Sequence, residues 1–217
     1  MLEELDLLAA YPRPARDPAA RAQAKTPEDV AIARRFGPEF FDGERRHGYG
    51  GFRYDPKYWQ PVVPAFVKRY GEFRSLLDVG CAKGFMLHDF LAAMPWLHVA
   101  GVDVSQYALG QAMAEVKPRL QWANATDLPF EDGAFELVVS VNTLHNLNRA
   151  GLVRALREIE RVSWAHAYVT VDAWRTDEDR RRMLDWNLTA RTILHVEAWR
   201  ELFDEAGYTG DYGWFIP

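Results

Sequence analysis

Residues 76–87, LLDVGCAKGFML, decide the fold. Leu76, Leu77 and Val79 read as a buried strand, residues 80–84 as a tight turn, and Phe85 onward as a helix. Glycines in such a turn let a ligand approach the backbone where side chains would block it. The following helix aims its first N–H groups at that ligand. The stretch therefore predicts a nucleotide site, without saying which nucleotide.

Outward from this stretch, strands and helices alternate. Upstream, Val62, Val63, Phe66, Val67 and Tyr70 recur at helical spacing before Gly71. Downstream, VAGVDV predicts a second strand, Ser105 caps a helix to about Val116, and residues 120–123 form a short strand. FELVVSV, residues 135–141, is a strongly apolar fourth strand. Leu152, Leu156 and Ile159 mark the next helix, and residues 167–171 a fifth strand. Repeated β-α-β units predict a mostly parallel, doubly wound sheet of six or seven strands with helices on both faces. In the tail, Thr176 and Asp179 form a capping-box pair, and Trp199, Leu202, Phe203 and Ala206 share one face of a helix that stops at Gly207. Residues 208–216 supply one more strand at most.

The chain divides into an N-terminal arm, residues 1–55, and a nucleotide-binding domain, residues 56–217. Pro12, Pro14 and Pro18 make the start of the arm a poor place for regular structure, whereas Thr26, Pro27 and Asp29 open a helix that should stop at Gly37. GYGGFRY, residues 48–54, predicts a mobile loop bearing aromatic side chains. Arg45, Arg46 and Arg53 beside it either meet an anionic ligand or, more ordinarily, face solvent.

Composition limits the function. The net charge is −5, with +2 over residues 1–70 and −7 over the rest, which argues against a dedicated nucleic-acid binder. Cys81 is the only cysteine, so no intramolecular disulfide and no Cys-based metal site can form. The opening MLEELDLLAAYPRP lacks the features of a secretory signal, and no apolar run reaches the ~20 residues that span a bilayer. A cytoplasmic protein without a membrane span is expected, of unspecified oligomeric state.

Ligands of an open parallel sheet bind beyond the carboxyl ends of its strands. Residues 80–84, Asp103 and residues 142–145 should therefore share a site. Asp103 lies 19 residues past Gly84, about where a carboxylate accepts hydrogen bonds from a ribose diol. A dinucleotide site would want G-x-G-x-x-G, but this turn is G-C-A-K-G.

DVGCAKG, then GVDVS, then ATDLPFEDGAFELVVSVNTLHNL, together resemble the class I S-adenosylmethionine-dependent methyltransferases, in particular the small-molecule branch called type 11. The resemblance implies a Rossmann-like sheet and S-adenosyl-L-methionine as methyl donor, with S-adenosyl-L-homocysteine as product. It implies that Asp78, Gly80, Cys81, Ala82 and Gly84 surround the methionine part of the cofactor. Asp103 and Val104 would hold the ribose, Asp127 and Leu128 the adenine, and Asn142 would line the site. Tyr49, Phe52 and Tyr54 on the glycine loop either close as a lid over the sulfonium, whose charge favours aromatic faces, or pack the arm onto the core. His145, just past the fourth strand, is the candidate general base, with His195 a weaker one.

Asn142 and Asp172 lie where metal-dependent catechol-type relatives carry ligands, but a third ligand is missing and no metal is expected. Residues 142–145, Asn-Thr-Leu-His, lack the Asn-Pro-Pro-Tyr of many nucleic-acid amino-methyltransferases. The arm resembles a subset associated with surface polysaccharide assembly. The expected reaction is thus methyl transfer to an O or N atom of a small-molecule acceptor such as a sugar. The alternatives are an NAD-dependent oxidoreductase and a non-catalytic module that binds a partner protein. Ala82 replaces the usual middle glycine, at a cost of roughly 1–2 kcal/mol if its φ is positive.

Overall fold

The computed structural model describes residues 2–13 and 17–216. Pro14 lies outside the described residues. The arm holds α1 (Pro18–Ala24), α2 (Pro27–Ala33), α3 (Pro38–Phe41) and α4 (Pro56–Trp59), followed by α5 (Val63–Tyr70). The sheet region then runs β1 (Ser75–Val79), α6 (Phe85–Ala93), β2 (His98–Asp103), α7 (Gln106–Gly110), β3 (Leu120–Trp122) and β4 (Phe135–Val141). It ends with α8 (Arg149–Val162), β5 (Ser163–Trp174), α9 (Asp177–Trp186), β6 (Leu194–His195), α10 (Val196–Ala206) and β7 (Asp211–Phe215).

The seven strands form one sheet in the order β3-β2-β1-β4-β5, with β6 and β7 both on the outer edge of β5. Leu76 pairs with Val99 on one side and Leu137 on the other, which puts β1 at the centre. The order reverses between β1 and β4, so the cleft beyond their carboxyl ends is the place for a ligand. Every pairing between these strands is parallel. The predicted Rossmann-like, doubly wound sheet is therefore present, and β7 adds parallel to β5.

One face of the sheet buries Leu152, Leu156 and Ile159 of α8 with Trp199, Leu202 and Phe203 of α10 against Val138 and Val169. The other buries Phe66 of α5 and Leu87 and Phe90 of α6 against Leu76, Leu137 and Val139. Burying a side chain of this size contributes about 1.5–3 kcal/mol each. Two such faces hold the strand ends, and so the cleft, in fixed register.

Three local readings need correction. The proline-rich start of the arm does form a helix: Asp17 caps α1 by accepting from the Ala20 N–H, and Pro18 sits in the first turn, where its missing N–H costs nothing. Helix α7 stops at Gly110 rather than near Val116, and the chain turns back so that the Met113 N–H reaches the Lys83 carbonyl. Strand β5 extends beyond residues 167–171 at both ends. The start of the chain also joins the sheet, with the Leu5 N–H donating to the Tyr212 carbonyl at 2.8 Å and the Tyr212 N–H to Glu3 at 3.0 Å.

Candidate functional site

Beyond the carboxyl ends of β1, β2, β4 and β5 opens a cleft of about 1510 Å³. Its floor is the turn after β1. Gly80 has φ +92°, and a Cβ there would strike the Thr143 side chain at 2.1 Å, so only glycine fits. Ala82 stands at φ 48° and Asn142 at φ 50°, both in the left-handed region and both on the cleft. Strain in non-glycine residues that gathers at one place is characteristic of functional sites.

Asp103, at the end of β2, holds this turn. One carboxylate oxygen accepts from the Ala82 N–H at 2.8 Å and the other from the Ser105 N–H at 2.7 Å. The left-handed turn at Ala82 thus presents its N–H to a carboxylate, a charge-assisted bond that offsets the strain. Burial raises the Asp103 pKa, and those backbone donors partly restore the charged form. Ala82→Gly is expected to stabilise the fold by about 0.5–1 kcal/mol, since relief of the strain outweighs the extra freedom of an unfolded glycine. Chemical denaturation measures it, and a destabilised variant would show that the alanine methyl packs favourably.

Asp78 is buried at the end of β1 and lines the cleft. Its carboxylate makes no hydrogen bond or ion pair with the described residues, and burial, aided by nearby Asp103, pushes its pKa up to about 8. A buried carboxylate without a donor is costly. It is a place prepared for a cation.

His145 is buried beside the ends of β4 and β5. Its Nδ1 accepts the Asp172 backbone N–H at 3.1 Å and lies 3.5 Å from the Asp172 carboxylate. Burial lowers its pKa and the Asp172 charge opposes that. A neutral imidazole whose Nδ1 accepts carries its proton on Nε2, so this ring donates a hydrogen bond. A general-base role, as expected from the sequence, would need the proton on Nδ1 and Nε2 free. Asn187 donates to the Asp172 carboxylate, and its own Oδ1 accepts from the Thr189 and Ala190 N–H groups at 2.9 and 2.6 Å.

The remaining expected residues divide. Val104 lines the cleft and is exposed, and Tyr49 lines it from the arm. Cys81 lines the cleft along the turn with its thiol packed on Gly101, and burial pushes its pKa well up. Gly84 has φ +72° and does not line the cleft; a Cβ there would press on Val116 at 2.7 Å, so it serves the packing of α6. Asp127 and Leu128 are also off the cleft. The Leu128 N–H donates to Glu158 at 2.7 Å and Arg161 donates to the Leu128 carbonyl at 3.0 Å, so α8 clamps that loop in place. Asn124, Ala125 and Thr126 line the cleft instead. Sequence reasoning passed over them because the acidic Asp127 drew attention; the signal was their position directly after β3.

The arm covers the cleft. Arg34 donates to the Ala190 carbonyl at 2.9 Å on one wall, and Ser105 on the other donates to the Phe36 carbonyl at 2.5 Å. Lys83 of the turn reaches the Asp42 carboxylate at 2.6 Å and the Phe52 carbonyl at 2.8 Å. Burial would raise the Asp42 pKa, but Lys83, Tyr107 and the Phe52 N–H bring it below the usual range. Tyr49 and Phe52 have ring centroids 4.4 Å apart, and Phe52 stacks on Phe85 at 4.9 Å. Arg46 and His47 do not reach the cleft and pair with buried Asp29. His195 caps α10 and hydrogen-bonds the Arg175 carbonyl, also away from the cleft.

No group of three His, Cys, Asp or Glu among the described residues is arranged to hold a metal, and no described helix is long and apolar enough to cross a membrane.

Residues 76–163 match a family described as a methyltransferase domain. A malonyl-[acyl-carrier protein] O-methyltransferase of Legionella pneumophila is 27% identical over 135 residues, covering 60% of this chain and 46% of that one. The chain thus spans about half the length of that relative. A Methanococcus maripaludis structure, assigned as an S-adenosyl-L-methionine-dependent methyltransferase, superposes with a TM-score of 0.51 at 19% identity, over 69% of this chain and 76% of that one. The [4+2]-cyclase SpnF superposes with a TM-score of 0.53 at 24% identity, over 68% and 56% of the two chains. The last comparison shows the fold in a protein named for a different reaction, so the reaction must be argued from the site.

Proposed function

We propose that this chain, whose residues 76–163 match a methyltransferase domain, is a class I S-adenosylmethionine-dependent methyltransferase that transfers the methyl group of S-adenosyl-L-methionine to an O or N atom of a small-molecule acceptor. The observation that carries this reading is the unpartnered carboxylate of Asp78 on the cleft floor, beside a turn held open by Asp103. A sulfonium cofactor bears positive charge next to an α-ammonium group, and a neutral or anionic nucleotide gives Asp78 nothing to bind. The cofactor fits the donor set for that reason. NAD, the ligand of the rival reading, would bring a pyrophosphate to a floor with two carboxylates.

In this reading Asp78 holds the cationic end of the cofactor. The free lone pairs of Asp103 take the ribose diol, and Asn124, Ala125 and Thr126 flank the base. When bound, the cofactor supplies an electrophilic methyl group. The chain's own task is chiefly alignment and exclusion of water. Arm residues 1–55 act as the cover, latched through Lys83 and Asp42, with Tyr49 and Phe52 above the turn. The Nε2–H of His145 orients the acceptor as a hydrogen-bond donor, held by Asp172 and, behind it, Asn187.

His145→Ala is expected to lower turnover by roughly 10- to 100-fold while changing S-adenosylhomocysteine affinity little. The parent's turnover should show no limb near the ordinary histidine pKa, because the ring stays neutral. A rate that climbs through that region and loses the climb in the variant would restore the general base. The reading as a whole is tested by incubating the protein with methyl-labelled cofactor and metabolite pools. Label should move to an acceptor, and its failure to leave the cofactor with any pool counts against methyl transfer.

A further inference from the structure

We infer that the acceptor is anionic and that Arg191, with Arg45 opposite, forms the subsite for its carboxylate or phosphate group; this rests on the methyltransferase reading above. The cleft, at about 1510 Å³, is larger than the roughly 300–1,000 Å³ of a pocket for one small ligand. The walls after β1, β2 and β3 account for a nucleoside. The remaining lining includes Trp186 at the end of α9, Asn187, Thr189 and Arg191 of the loop after it, and the arm residue Arg45.

Arginine outnumbers every other charged residue on the cleft. Six arginines line the cleft, namely Arg34, Arg35, Arg45, Arg53, Arg154 and Arg191, and neither lysine nor glutamate does. Four aspartates face them, but Asp78 and Asp103 belong to the cofactor floor and Asp172 is taken up by Asn187 and His145. Asp55, the fourth, is neutralised by Lys57 at 2.6 Å. A chain of net charge −5 has thus gathered guanidinium groups on one opening, none of them in a salt bridge among the described residues.

The two named arginines are placed by rigid surroundings. The loop carrying Arg191 is tied down at residues 191–192. The Arg191 and Thr192 N–H groups donate to the His145 carbonyl at 2.9 and 3.0 Å, and Thr192 Oγ1 donates to the Leu147 carbonyl at 2.8 Å. The Arg191 side chain is exposed, lines the cleft, and has no hydrogen bond or ion pair among the described residues. Arg45 lies over the Trp186 ring, 5.3 Å from its centroid, and donates to the Gly48 carbonyl. The Arg45 fork is held over Trp186 and that of Arg191 is free to meet a ligand, and a planar guanidinium suits the two oxygens of a carboxylate or phosphate. Arg191 extends from the segment whose N–H groups bond the His145 carbonyl, and both residues line the same cleft.

The test is calorimetric, on the full chain saturated with S-adenosylhomocysteine, titrated with citrate, pyrophosphate or glycerol at low salt. Citrate or pyrophosphate should bind in the millimolar range or tighter, and glycerol should not. Citrate and pyrophosphate separate a carboxylate acceptor from a phosphate one. Arg191→Gln should weaken the anion roughly tenfold, Arg191→Lys less, and neither should change S-adenosylhomocysteine affinity. Anion binding that is absent, or that survives both Arg191→Gln and Arg45→Gln, overturns the subsite. Failure to bind S-adenosylhomocysteine at all overturns the methyltransferase reading instead.

Discussion

Replacing Asp78 by asparagine is expected to make the free protein more stable and its cofactor complex weaker. The carboxyl is buried, has no donor, and titrates near 8 in the folded state against an ordinary value near 3.8. A carboxyl whose folded pKa is raised contributes stability that is fully present below its unfolded pKa and is lost as pH climbs through the folded one. The parent should therefore lose stability between about pH 4 and pH 8, and Asp78→Asn should not. The difference is expected to reach roughly 5 kcal/mol at pH 8.5 and to shrink toward zero near pH 4.

Cofactor binding should move the opposite way. The amide of the Asp78→Asn variant offers no charge to a sulfonium or ammonium group, and loss of a desolvated charge pair of this kind is worth roughly 100-fold in affinity. Binding to the parent at pH 7 should release close to one proton, because the incoming cation ionises Asp78. Calorimetry in buffers of different ionisation enthalpy counts it. Urea melts at several pH values measure the stability half, and a variant less stable than the parent at pH 8.5 would mean that Asp78 is partnered in solution.

Asp103→Ala is expected to have the largest effect on binding, because it removes the ribose acceptor and the brace of the turn together. Ala82 and Ser105 each lose a charge-assisted bond, and Ala82 then has nothing to hold it at positive φ. In the proposed site the ribose hydroxyls also lose their two bonds to this carboxylate, about 3 kcal/mol, hence a loss of at least roughly 100-fold in cofactor affinity. The fold should lose less, about 1 kcal/mol, since a buried carboxylate is itself removed. Asp103→Asn keeps one acceptor and turns its amide toward the other N–H, so it should fall between. Equal affinity in parent and alanine variant would place the ribose elsewhere.

The sheet was legible in the sequence because β4 and the helix faces carry unbroken apolar patterns, and because Gly80 and Asp103 stand at the ends of strands. What stayed hidden depended on tertiary contacts. Nothing in DLPF shows that Glu158 and Arg161, some thirty residues on, hold Leu128 away from the cleft. Likewise the role of His145 turns on which neighbour meets Nδ1, and a backbone N–H from β5 is invisible in a residue pattern. Proline at the start of α1 misled because the same residue breaks a helix interior and favours its first turn. Arg45 and Arg46 are adjacent in sequence, yet one lines the cleft and the other pairs with Asp29.

Titration of the purified chain with S-adenosylhomocysteine and, separately, with NAD tests the central claim most directly. One molecule of S-adenosylhomocysteine should bind per chain, with release of about one proton at pH 7, while NAD gives no saturable heat. Binding of NAD in preference, or no binding of S-adenosylhomocysteine by a folded protein, would contradict the assignment of this cleft.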